Sequence, residues 1–269
     1  MFVTRLISGI VLVAVALLTI CSGGWILYGT LTIVSLIGMF ELYRAVKVQK
    51  QGENLLAVVG YLGVILHYIL LSLGYSEYAM MNLIIVLIAM MFVYVFSYPK
   101  YHAEQVMAAF FGVVYVGVML SYIYQTRMIR DGAFLVWLIF LCSWGCDTCA
   151  YCVGMLIGKH KMSPVLSPKK SIEGAVGGVV GAALLGLIYA LAAGKFFPEF
   201  DHSPAVYALI CAVGALISMV GDLAASGIKR NHNIKDYGKL IPGHGGILDR
   251  FDSVIFTAPV IYFLAIALL

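Results

Sequence analysis

The stretch AMMNLIIVLIAMMFVYVFSY, residues 79–98, runs for twenty positions without a charge. The hydrocarbon core of a bilayer is about 30 Å thick and takes about 20 apolar residues at 1.5 Å rise each, so this stretch reads as one complete membrane-spanning helix. Runs of the same kind recur on both sides of it, at 5–22, 23–40, 54–74, 105–124, 132–157, 174–194, 204–224 and 252–269. The total is about nine spans. Composition agrees: 62% of the 269 residues are hydrophobic, only 11% are charged and the net charge is +4, with a mean hydropathy of +1.00. A soluble domain is about 45–50% apolar and about 25% charged. A disordered chain, a collagen, a small disulfide scaffold and a water-soluble nucleic-acid binder are excluded on these grounds. The expectation is an all-α polytopic integral membrane protein with about nine transmembrane helices.

An odd number of spans places the termini on opposite sides. With the N-terminus inside, the cytoplasmic segments hold Arg5, Arg44, Lys47, Lys50, Lys100, Lys159, Lys161, Lys169, Lys170, Lys229, Arg230, Lys235, Lys239 and Arg250, and only Arg127, Arg130 and Lys195 lie outside. The positive-inside rule then sets the N-terminus cytoplasmic and the C-terminus outside. The first run has the outline of a secretory signal, but the spans behind it favour a retained helix. It is joined to the second only by Cys21-Ser22-Gly23-Gly24, which predicts a tight helical hairpin. No linker or soluble module interrupts the chain, so 1–269 reads as a single integral-membrane domain. Within it, 1–130 provides N-terminal helices for packing and lipid contact. The other half, 131–269, carries the two long cytoplasmic loops at 158–173 and 225–251 and is where a catalytic site is expected.

Several features have structural readings. Cys142, Cys146, Cys149 and Cys152 fall at helical spacing within one span, where small polarizable side chains pack well, and there is no paired knuckle to make a metal site. His67 lies within a span, and His102, His160, His202 and His232 lie near loops as interfacial residues. Many of the 17 tyrosines sit near span ends, as interfacial anchoring expects. Gly174/Gly178 and Gly177/Gly181 form small-xxx-small pairs, with Gly186 beyond, which allow helices to approach closely within the chain or across a dimer.

The acids inside apolar runs are different. An ionised Asp at mid-membrane costs about 2.5–3.5 kcal/mol, so Asp147 and Asp222 are expected to face a polar cavity and a cation. Asp222, Ser226, Lys229 and Arg230 share one helix face at spacings i, i+4, i+7 and i+8. After them come Lys235, Asp236 and Lys239, then Ile241-Pro-Gly-His-Gly-Gly246, a glycine-rich turn whose backbone N–H groups can approach an anion. Asp249 and Asp252 follow on one face of the last helix. A second basic turn, Ser167-Pro-Lys-Lys-Ser-Ile-Glu-Gly174, precedes the seventh span. Acids and bases clustered at one membrane surface suit a phosphate substrate with divalent cations.

The run Ser226-x-x-Lys229-Arg230, Lys235-Asp236-x-Gly238, Ile241-Pro242-x-His244-Gly245-Gly246-x-x-Asp249-Arg250-x-Asp252 resembles the signature of the phosphatidate cytidylyltransferase (CDP-diacylglycerol synthase) family. Two further segments resemble it: Asp147 with Ala150-Tyr151, Gly154 and Gly158-Lys159, and Ser167 to Gly174, where Ser171 stands in place of a common Thr. The likeness is strong in the C-terminal half, whereas the first four spans match only as apolar segments. The resemblance implies the reaction CTP + phosphatidate → CDP-diacylglycerol + diphosphate, with Mg²⁺, a second metal ion or K⁺ beside it, a homodimer in the bacterial cytoplasmic membrane, and a polar cavity facing the cytoplasm. It also implies Asp222 and Asp249 as metal-binding carboxylates, with Asp252 and Asp147 in support. Lys229, Arg230, Lys235 and Arg250 are then expected to bind the triphosphate and lipid phosphate, in a division left open. His244 would donate to the leaving diphosphate or stabilise its turn. Ser226, Asp236, Gly245 and Gly246 would contact phosphate or metal, and Lys169, Lys170 and Ser171 would close over the nucleotide or head group.

Two other readings remain. A CTP-dependent lipid kinase meets the same charge problem but makes CDP and a phosphorylated lipid. An ion-coupled transporter also places acids in spans, but it predicts related halves and broken mid-membrane helices, and the sequence has no clear repeat.

Overall fold

The computed structural model describes residues 2–49, 54–197 and 203–269, with side chains from residue 7 onward. Lys50 and His202, and the side chain of Arg5, lie outside the described residues. The helices are α1 (Phe2–Ser22), α2 (Gly24–Ala45), α3 (Leu55–Ser72), α4 (Ala79–Phe96), α5 (Ala103–Met128), α6 (Gly132–Ile157), α7 (Ile172–Phe196), α8 (Pro204–Asn231) and α9 (Leu248–Leu268). From α2 to α9, eight helices among the described residues are long and apolar enough to cross a membrane. The protein is a multi-pass, all-α membrane protein. One departure from all-α lies in the loop expected to be a simple turn: β1 (Lys161–Ser163) pairs antiparallel with β2 (Ser167–Ser171).

The α1–α2 hairpin forms as its sequence requires, with Gly23 at φ 59° and Gly24 at φ 45° making a turn that a side chain would resist. Helix α2 runs five residues beyond the expected end at residue 40. Glu41 and Arg44 end the apolar run but not the backbone helix, which stops where Lys47 turns to φ 59° and the Val48 N–H closes on the Tyr43 carbonyl at 2.9 Å. Helices α5 and α6 each pass through a π-helical segment, Val113–Val118 and Leu141–Gly145.

The chain forms two compact units: residues 1–125 with 232–250, and residues 126–231 with 251–269. In both, the core is apolar as in a soluble protein, but large apolar side chains such as Phe96, Leu156 and Ile188 are exposed as well, as lipid-facing residues should be, and some polar side chains are buried with hydrogen-bond partners. In the first unit Ser35 bonds the Tyr68 hydroxyl at 2.8 Å, His67 bonds Ser121 at 3.1 Å, and Asn82 donates to the Gly63 carbonyl at 3.0 Å. His67 is therefore an interior residue and not an interfacial one. Tyr43 is also fully buried; its hydroxyl donates to the Ala109 carbonyl at 2.6 Å, and its ring lies against Gly60 and Gly112, knitting α2, α3 and α5 together.

In the second unit the small residues of α7 let neighbouring helices close on it. A Cβ on Gly178 would meet the Cys146 sulfur at 2.9 Å and Ala150 at 3.0 Å, and one on Gly181 would meet Cys149. Gly186 faces Cys211 on α8, and Gly214 of α8 faces Cys142. The glycine pairs thus serve packing within the chain, and these cysteines, all free thiols, fill the space that the glycines leave.

Candidate active site

The first unit builds the glycine turn. The Ile241 N–H donates to the Gly245 carbonyl at 2.8 Å and the His244 N–H to the Ile241 carbonyl at 3.0 Å, with Gly243 at φ 78° and Gly245 at φ 86°. Those two backbone angles explain two of the glycines. Asp249, only 6% exposed on the first turn of α9, gathers the loop's ends: its Oδ2 accepts from the Tyr237 N–H at 2.8 Å and the Gly246 N–H at 2.9 Å. On the turn's outer side a cleft of about 650 Å³ is lined by Lys235, Lys239, Arg250, His244, Asp236 and turn backbone. Three obligate cations against one acid make this cleft suited to a polyanion.

His244 is oriented by α1. Its Nδ1 lies 2.7 Å from the Ser8 hydroxyl, which also lies 3.0 Å from the Pro242 carbonyl. A carbonyl only accepts, so the single Ser8 proton goes to Pro242 and Nδ1–H donates to Ser8. In the neutral ring Nε2 then carries the lone pair, and only the imidazolium would donate from it.

The second unit holds the other acids. Lys170, on β2, pairs with Asp222 on α8. Asp252, largely buried on α9, interacts electrostatically with Asp222, Asp147 and Lys229. Three carboxylates and two ammonium groups thus interact within this unit. Ser171 is the N-cap of α7: its hydroxyl accepts from the Gly174 N–H at 3.1 Å. The hairpin is tied down by Glu173, whose carboxylate accepts from the Lys159 and His160 N–H groups at 3.1 and 3.2 Å and meets the His160 ring at 2.6 Å. Ser226 lies half-buried on α8, whereas Lys169 and Arg230 are exposed and make no ion pair among the described residues.

The donor set fits a divalent cation by charge. No three His, Cys, Asp or Glu side chains converge in metal-ligand geometry among the described residues. Mg²⁺ does not need such a cage, because it is commonly held by one or two carboxylates together with substrate phosphates and water. The ammonium of Lys170 on Asp222 is a cation from the protein standing where a metal is expected.

A family model described as the cytidylyltransferase family matches residues 3–268. The chain belongs to the cytidylyltransferase family. Among curated relatives, a phosphatidate cytidylyltransferase of Staphylococcus haemolyticus is 41% identical over 154 residues, a stretch covering 57% of this chain and 56% of the relative. Those of Staphylococcus epidermidis and Staphylococcus aureus are each 34% identical over 268 residues, covering 97% of this chain and 98% of theirs. The likeness of this cytidylyltransferase to its relatives therefore extends over the first four spans as well as the signature.

Two residues in those early spans hold the signature loop and escaped the sequence reading. Glu41 accepts from the Ile247 and Leu248 N–H groups, and Arg44 donates to the Tyr237 carbonyl at 2.7 Å. Arg44 is more than an inner-surface charge. The signal was present as an acid and a base three residues apart at the end of an apolar run, but the span was ended one residue too early to count Glu41 as intramembrane.

Proposed function

We propose that this cytidylyltransferase catalyses CTP + phosphatidate → CDP-diacylglycerol + diphosphate. The observation that carries the reading is the cationic cleft on a glycine turn whose ends are drawn together by one buried carboxylate, Asp249. The lipid phosphate attacks the α-phosphorus of CTP and diphosphate leaves in line. A phosphate monoester has a second pKa near 6 and is largely dianionic at neutral pH, so the nucleophile needs no strong base. The obstacle is bringing two polyanions together, and catalysis is positioning with charge neutralisation.

In the first unit, Lys235, Lys239 and Arg250 bind phosphate oxygens, and the turn's backbone is held ready for them. His244, as the imidazolium, hydrogen-bonds the leaving diphosphate through Nε2. In the second unit, Asp222 is the carboxylate that takes the cation, Asp252 and Asp147 keep its surroundings negative, and Lys229 and Arg230 attract phosphate. In the first unit, Asp249 would offer a cation the oxygen not engaged with Tyr237 and Gly246. Bound Mg²⁺, with a second metal ion or K⁺ beside it, would supply further neutralisation of the triphosphate. Lys170 pairs with Asp222 and would compete with a metal ion for that carboxylate, and Lys169 and Lys170 are further cations this unit offers to the substrate anions. The chain crosses the bacterial cytoplasmic membrane nine times, with its N-terminus and the polar cavity on the cytoplasmic side, and works as a homodimer.

The test is purified protein in detergent with labelled CTP, phosphatidate and Mg²⁺, resolving lipid and nucleotide products. CDP-diacylglycerol with an equal amount of diphosphate supports the reading. CDP with a newly phosphorylated lipid would make the protein a CTP-dependent lipid kinase, and folded protein giving neither would return attention to transport.

A further inference from the structure

Behind the glycine turn, inside the first unit, lies a carboxylate that the signature does not contain. Glu41 of α2 is 3% exposed. Its Oε1 accepts from the Ile247 N–H at 3.1 Å and its Oε2 from the Leu248 N–H at 2.8 Å. The first N–H groups of a helix have no partner within it, so Glu41 caps α9 from a distant segment and places a negative charge at the positive end of the helix dipole. Gly238 and Gly246 both face this carboxylate, and a Cβ on either would overlap its oxygens. Neither has positive φ. Space, and not backbone conformation, is what makes them glycine. Arg44, one turn further along α2, holds the Tyr237 carbonyl while Asp249 holds the Tyr237 N–H.

We propose that Glu41 is a positioning residue for cytidylyl transfer: it fixes the 246–248 turn and with it Asp249 and Arg250, and Gly238 and Gly246 are glycines to admit its carboxylate. This goes beyond the expectation that Gly246 serves close phosphate approach, and it rests on the cytidylyl-transfer reading.

The experiment is a double-mutant cycle on the full-length enzyme, with kcat and KM for CTP and phosphatidate normalised to folded protein. Glu41→Ala should lower kcat/KM about 30-fold, and Glu41→Gln, which keeps one acceptor oxygen, should recover part of it. Gly246→Ala should lower kcat/KM about 10- to 100-fold in the parent but less than about threefold when added to Glu41→Ala, because the space it needs is then vacant. An equal loss in both backgrounds would assign Gly246 to the ligand and overturn the proposal, as would a Glu41→Ala enzyme within twofold of the parent. Amide hydrogen exchange gives a readout independent of turnover: Ile247 and Leu248 should exchange faster in Glu41→Ala, and unchanged exchange refutes the cap. If the parent makes no CDP-diacylglycerol while exchange responds as expected, the reaction assignment fails and the cap stands.

Discussion

Asp249 is the residue for which sequence and structure suggest different work, and one substitution separates them. Its Oδ2 accepts two backbone N–H groups, from Tyr237 and Gly246, in a buried setting. Hydrogen bonds to a charged group contribute about 1.5–3 kcal/mol and neutral ones about 1 kcal/mol. Asp249→Asn leaves an acceptor oxygen in place but removes the charge, so the two bonds together weaken by roughly 2 kcal/mol, or about 30-fold in kcat/KM if the ordered loop is what CTP binds. Asp249→Ala removes the acceptor altogether and strands two buried N–H groups at about 1–3 kcal/mol each, which is enough for near-complete loss. A pure loop-organising role therefore predicts Asn milder than Ala and the same Mg²⁺ requirement as the parent.

A metal-holding role predicts something else. Asn is a poor ligand for Mg²⁺, so Asp249→Asn would be nearly as damaging as Ala at low Mg²⁺, and raising Mg²⁺ would restore part of the rate. The assay is initial CDP-diacylglycerol formation across a Mg²⁺ titration at fixed CTP, with melting temperatures to confirm folding. Both roles together give a loss beyond about 30-fold that Mg²⁺ only partly reverses. An Asp249→Asn enzyme within twofold of the parent at all Mg²⁺ concentrations would refute the reasoning for either role.

Arg44→Ala should lower kcat/KM for CTP about 10-fold or more through the lost charged bond to Tyr237, with Arg44→Lys intermediate, as steady-state kinetics would register. Asp222→Asn should raise the Mg²⁺ concentration for half-maximal rate by about 10-fold, whereas Lys170→Ala, which removes the competing ammonium, should lower it. Gly178→Val should reduce the melting temperature by about 5 °C by forcing a branched side chain onto Cys146 and Ala150, while Ile188→Val on the exposed face should leave it unchanged. With the lipid phosphate as its own base, kcat/KM should fall as pH drops through about 6, where the phosphate gains its second proton, and a fall on the alkaline side that disappears in His244→Ala would report loss of the imidazolium donor. A required base titrating well above that would contradict the mechanism.

The spans were legible because hydropathy is a sum over consecutive residues, and 132–157 matches α6 to the residue while 79–98 overshoots α4 by two. The end of α2 was not, because its last turn carries Glu41 and Arg44, whose charge breaks the apolar sum while their backbone remains helical. The hairpin at 161–171 was hidden for another reason: its strands are too short for alternation to register, and Pro168 sits within one of them. The candidate residues of 222–252 were legible as a set, since acids, bases and glycines crowd together there. Their partners were not. The hydrogen bonds from Ile247 and Leu248 to Glu41 cross 206 and 207 positions of sequence, and no local spacing rule reaches that far. Ser171 and Gly246 were expected as ligand groups from the family resemblance, and the structure gives each a structural role that local sequence did not reveal, a helix cap and a place where a carboxylate needs room.

Two buried carboxylates directly behind a loop proposed to bind phosphates look at first like an error of charge. The hydrogen bonds resolve it. Glu41 and Asp249 between them accept from the N–H groups of Tyr237, Gly246, Ile247 and Leu248. The loop buries one large side chain, Tyr237, but is otherwise polar, so hydrophobic burial alone cannot order it. Charge-assisted bonds to its backbone can, at about twice the strength of neutral ones. The carboxylates sit on the inner side with Arg44 nearby, while Lys235, Lys239 and Arg250 line the cleft. On the proposed mechanism the loop is fixed before a polyanion arrives, and the phosphates would meet cations already in place instead of ones that must be gathered at an entropic cost. On this account the early spans belong to the catalytic apparatus. Removing Glu41 should leave every cation of the cleft in the chain and still cost activity, because what is lost is their order.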